Sequence, residues 1–225
     1  MALDLYQATL AVGALGTAAT GLVDTTKVFG PYGTSRVGFT FIKTALNRLL
    51  PIDSDAEHSG LIREDILDTL LANWLNGMES GAQKAAAASF VKLHLNAQSA
   101  DALAAATHVD PDTLKAVASK VAMAGKPEGA LTAEEADTFG RFDLAVAALI
   151  DKAYQRADQR YRNVCKTLAC VVAVVLAVIS NGQMGKLPTW QAVMIGLIAT
   201  PLAPIAKDLA SAIQTASTTL AKVKG

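Results

Sequence analysis

Along this chain the hydrophobic pattern changes character within a single stretch, Phe142 to Ile179. Phe142, Leu144, Ala145, Ala148 and Leu149 alternate helically with polar positions, followed by Lys152, Gln155, Arg156, Asp158, Arg160 and Arg162. From Val164 the sequence reads VCKTLACVVAVVLAVI, in which Lys166 is the one charge. A charged stem, a basic collar and an apolar run predict one uninterrupted helix entering a bilayer.

Upstream, residues 51–162 carry the pattern of an ordinary Ala-rich helical region. Leu61 to Asn76 is amphipathic, with Leu61 or Ile62, Ile66, Leu70, Leu71, Trp74 and Leu75 on one face. A second helix runs from about Gln83 to Asn96 and a short one over 99–107. Asp110 followed by Pro111 marks a further helix start, and Thr132 with Glu135 reads as a capping box. Val37 to Leu50 places Phe39, Ile42, Ala45, Leu46 and Leu49 at helical spacing among basic residues. That suits an interfacial helix on anionic lipid or a helix packed in the soluble part. No segment alternates as a half-buried strand would. The predicted class is all-α, a membrane protein with a helical cytoplasmic domain.

Three apolar runs are predicted to span: 1–23, and the hairpin 163–206 built from two helices around SNGQMGKLPTW. If residues 5–23 only lie on the surface, two spans remain. Pro201 and Pro204 are expected to kink or weaken the last span, and 207–225 forms an amphipathic tail. Small residues recur at four-residue spacing in each run: Gly13, Thr17 and Gly21; Ala169, Ala173 and Ala177; Ala192, Gly196 and Thr200. Such faces allow close backbone approach between helices in lipid. One three-helix chain is not expected to bury all of them, so a homo-oligomer is the expected partner state. Tyr154, Arg156, Arg160, Tyr161, Arg162, Lys166 and Trp190 are expected at lipid headgroups. Basic residues cluster between 24 and 162 and after the last span. The positive-inside rule therefore puts the N-terminus outside, with 24–162 and the C-terminus in the cytoplasm.

Composition sharpens this picture. Apolar residues make up 52% and charged residues 18%, against about 25% charged in soluble proteins. With 20 basic and 20 acidic residues there is no basic excess for a nucleic-acid partner. Cys165 and Cys170 lie about 140° apart around a helix, unsuited to a local disulfide or metal site. Asp53, Asp55 and Glu57 resemble the start of a calcium loop, but His58 occupies the glycine position and the pattern fails. His58, His94 and His108 lack ligand spacing. No catalytic, cofactor or metal residues are assigned and no cofactor is expected.

The Phe142-Asp143 pair, the Tyr154, Arg160, Tyr161 and Arg162 collar, the span ending at Asn181 and the Trp190-led last span carry a resemblance. In layout the chain resembles a group of uncharacterised bacterial integral membrane proteins with a cytoplasmic helical insert between the first and second spans. That resemblance implies a bacterial inner membrane and carries no activity. The functional expectation is a non-enzymatic scaffold or subunit of a homo-oligomeric membrane assembly, with an unidentified protein partner on the cytoplasmic domain. The alternative is an oligomeric pore lined by Thr17, Thr20 and Thr200.

Overall fold

The computed structural model describes residues 2–26, 33–50, 62–121, 123, 129–184 and 187–223. The calcium-like stretch 53–58 and Leu61 lie outside these residues. Among the described residues eight helices follow one another: α1 (Ala2–Thr25), α2 (Thr34–Leu49), α3 (Arg63–Leu75), α4 (Ser80–Leu93), α5 (Ala100–Thr107), α6 (Pro111–Val121), α7 (Ala133–Met184) and α8 (Thr189–Val223). No strand occurs among the described residues, so the all-α expectation holds. The chain divides into two compact units, one of residues 1–34 with 162–225 and one of residues 35–161. Helix α7 contributes to both.

In the unit of residues 35–161, the predicted faces become the core. Phe39, Ile42, Leu46 and Leu49 of α2 are buried with Ile66 and Leu70 of α3. Phe142, Val146 and Ile150 close the same cluster from α7. Each such side chain contributes roughly 1.5–3 kcal/mol by leaving water. The Val37–Leu50 segment is therefore a packed core helix, not an interfacial one. Gly38 makes the approach possible: a Cβ there would lie 2.6 Å from the Ala157 carbonyl oxygen. On α3 the buried set includes Leu67, while Leu75 is exposed.

Local chemistry sets the helix ends. The Glu135 carboxylate accepts from the Thr132 amide at 2.7 Å, and the Thr132 hydroxyl accepts from the Glu135 amide at 3.3 Å. This is the reciprocal capping box that opens α7. The Asp110 carboxylate accepts from the Thr113 amide at 2.8 Å and caps α6. Helix α4 starts at Ser80, earlier than Gln83, because Glu79 accepts from the amides of Gly81 and Ala82. It ends at Leu93, short of Asn96, and Asn96 turns back on itself to accept from the Gln98 and Ser99 amides.

The unit of residues 1–34 and 162–225 brings together α1, the C-terminal part of α7, and α8. Ala19, Ala173 and Ala199 form its centre, flanked by Val12, Leu15, Val172 and Leu176. Helix α8 continues through Pro201 and Pro204 to Val223, so the last span and the tail are one helix. Neighbouring helices can satisfy the carbonyls that two prolines leave without donors, and such prolines are tolerated inside apolar helices.

Candidate functional site

The apolar face of α7 and α8 is the first feature with functional content. The uncharged stretches 167–184 and 189–206 each extend about 27 Å at the helical rise, close to the ~30 Å hydrocarbon core of a bilayer. Helices α7 and α8 are long and apolar enough to cross a membrane. Among the described residues α1 does not reach that standard, so three spans are not confirmed. On α7 the alternation is sharp: Ala169, Ala173 and Ala177 are buried, whereas Val171, Val175 and Ile179 are half exposed or more. On α8, Ala192, Ala199, Ala203 and Ala206 face inward, and Met194, Leu197, Ile198 and Ile205 face outward. Small residues inside and large aliphatic residues outside invert the usual soluble pattern. Patches of this kind are rare on soluble monomers.

Not every predicted packing residue packs. Gly13 faces the Cβ of Ala206, and Gly16 faces the Ala199 carbonyl. Gly196 faces the Val174 backbone, whose nitrogen would lie 2.8 Å from a methyl added at that glycine. Ala169, Ala173, Ala177 and Ala192 are buried. Gly21 meets nothing within 4 Å, and Thr17 is exposed. The α1 face is therefore Gly13, Gly16, Ala19 and Val23, a mixed three- and four-residue step that tracks 3.6 residues per turn. Thr17 donates to the Gly13 carbonyl at 3.0 Å, and Thr20 to the Gly16 carbonyl at 2.8 Å. The Thr200 hydroxyl oxygen is buried. Thr17 and Thr20 are thus exposed one turn apart on α1, while Thr200 is turned inward on α8.

Helix directions bear on the expected three spans. Gly13 meets Ala206 and Gly16 meets Ala199, so α1 runs antiparallel to α8. Gly196 meets Val174, and the Asn181 side chain holds the backbone of Leu187 through bonds of 2.8 and 3.1 Å. The 162–184 part of α7 is thus also antiparallel to α8. Helices α1 and α7 run in the same sense, whereas two spans on either side of a region held on one face of a membrane run in opposite senses. Flanking charge carries no information on which helix a small-residue face will meet.

The collar is also partly reassigned. Arg160, Lys166 and Trp190 are exposed. Arg162 is exposed and Tyr161 half-buried, and both have partners within the protein. Tyr154 is 3% exposed and packs edge-on against Trp74, with centroids 6.2 Å apart. Burial pushes its phenol up to about 12. It is a core residue of the 35–161 unit and cannot reach headgroups. Trp74 in turn donates to the Ser35 carbonyl at 2.7 Å.

Arg156 leads to a second feature. It lines an open cavity of about 620 Å³ in the 35–161 unit, between α2, the end of α5 and α7. Arg48, Lys152 and His108 line it too, with Phe41 and Leu149 giving apolar wall. No acidic side chain is among the lining residues. His108 ends α5 in the left-handed conformation, φ 58°, which an L-residue adopts at a cost of about 1–2 kcal/mol. On α7, Asp143 pairs with Lys92 at 3.0 Å and Asp151 with Lys84 at 2.6 Å, and Asp158, two residues beyond Arg156, is engaged as well. The sequence holds one signal of this site, the like-charge ladder Lys152, Arg156, Arg160 at four-residue spacing. Arg48 and His108 join it only through tertiary folding.

Comparison with known proteins finds no matching family, no matching characterised protein and no matching solved structure.

Proposed function

We propose that this protein is a membrane-anchored scaffold, held in a bacterial inner membrane by the α7–α8 hairpin, with the 35–161 unit as its working part in the cytoplasm. One observation carries the reading: the outward aliphatic face of α7 and α8, set against an inward face of alanine and glycine. Water would penalise those exposed side chains by roughly 25 cal/mol for each Å² of apolar surface, and lipid would not. Because Gly13, Gly16 and Gly196 are occupied within one chain, the anchor needs no second copy to satisfy them. Consecutive spans around a region held on one side run in opposite senses, so the shared sense of α1 and α7 favours an α1 that does not cross, with the N-terminus on the same side as Arg162. Basic residues near Arg162 favour the cytoplasmic side.

The test is extraction and mass. Full-length protein is expected to stay with membranes through alkaline carbonate and to run as a monomer in mild detergent by light scattering. Release by carbonate would overturn the anchor. A discrete oligomer would replace the single-chain anchor with an assembly subunit. A protease site added before Met1 should be cut from the cytoplasmic side, and protection there would overturn the N-terminal placement.

A further inference from the structure

The cavity of the 35–161 unit is independent of the anchor, and its chemistry is unbalanced. Arg48, at the end of α2, and Lys152 and Arg156, one turn apart on α7, converge on about 620 Å³. Among the described residues none of the three has an acidic partner. Lys152 and Arg156 at four-residue spacing repel each other by a few tenths of a kcal/mol in the empty protein. Placing them together with Arg48 around a concavity adds to that repulsion. A ligand with concentrated negative charge would relieve it. Arginine offers paired N–H donors matched to phosphate oxygens, and lysine adds a point charge. The wall formed by Phe41 and Leu149 gives the remainder of such a ligand an apolar surface. The volume falls within the roughly 300–1,000 Å³ of small-molecule sites. His108, held at positive φ on the rim, fits the tendency of backbone strain to gather at binding sites.

We infer that this cavity binds an organic phosphate, two or more negative charges on an apolar body, through Arg48, Lys152 and Arg156. The source of that phosphate is either a soluble metabolite or the headgroup of an anionic lipid, and the probes separate the two. Full-length protein in an uncharged detergent is titrated with ATP and with dioctanoyl phosphatidic acid, using thermophoresis of a labelled protein. Saturable binding of either probe is expected, ATP identifying a soluble source and phosphatidic acid a lipid one. Arg48→Gln and Arg156→Gln should each weaken it about tenfold, the equivalent of one lost charge-assisted pair. Lys152→Gln should weaken it less. Arg141→Gln, whose parent side chain pairs with Asp137 at 2.9 Å, is the control and should leave binding unchanged. Circular dichroism melts of each variant separate loss of binding from loss of fold, and Lys152→Arg should retain affinity. Failure of both probes to saturate up to millimolar concentration would overturn the inference. So would equal weakening by Arg141→Gln, which would mark general attraction to a charged surface.

Discussion

Gly13 and Gly21 belong to one sequence pattern, yet they are expected to respond to the same substitution with opposite signs. At an open helical site, glycine to alanine gains about 0.8–1 kcal/mol of helix propensity. Gly21 has nothing within 4 Å of a new methyl, so Gly21→Ala should stabilise by about that amount. At Gly13 the methyl would run into the Cβ of Ala206. Overpacking of that kind costs about 1–3 kcal/mol, which cancels or exceeds the propensity gain. Ala206→Gly removes the obstacle, so the exchange Gly13→Ala with Ala206→Gly should beat the sum of its singles by about 1–3 kcal/mol. Gly196→Ala meets the backbone of Val174 and the Ala173 carbonyl instead, and no side-chain truncation rescues it. The native thiols Cys165 and Cys170 lie in the same unit and are half-buried. Their labelling by a maleimide along an SDS titration reads opening of that unit alone. Equal stabilisation by Gly13→Ala and Gly21→Ala, or strict additivity of the exchange, would refute the packing face assigned to α1.

Tyr154→Phe should stabilise the 35–161 unit by about 1 kcal/mol, because among the described residues the buried hydroxyl has no hydrogen-bond partner. A urea titration of the detergent-solubilised protein checks this, and a loss of stability would reveal a partner for the phenol. Glu135 is held below the usual 4.5, first by its bond to Lys120 at 2.7 Å and then by the Thr132 amide. Its contribution is full above the ordinary carboxylate value and lost as pH falls through the lowered folded one. Glu135→Gln should therefore flatten the acid limb of the stability profile below about pH 4.5. Asn181→Ala removes both bonds to Leu187, and hydrogen exchange at the Leu187 amide should speed about tenfold, for roughly 1.4 kcal/mol. No change there would show that the hairpin closes without the amide.

The local features were legible in the sequence by itself. Helical periodicity gave the class and the core faces of α2 and α3. Asp110-Pro111 and the Thr132–Glu135 box marked helix starts, and the uncharged runs marked the hairpin. These signals act within a turn or two of chain, so a linear reading can see them. The tertiary structure decided what depends on a partner distant in sequence. A four-residue spacing picks out Gly21, but helix geometry and the presence of Ala199 select Gly16. Tyr154 reads as a collar residue until Trp74 covers it. The direction of α1 follows from the steric match of glycine to alanine on α8, which flank charges do not encode. Arg48 and His108 are separated by a stretch of chain that hides their relation to Lys152 and Arg156. Only the packing of α2 and α5 against α7 collects those cations around one cavity. Long-range complementarity of shape, and the cost of grouping like charges, become visible when distant segments share the same space.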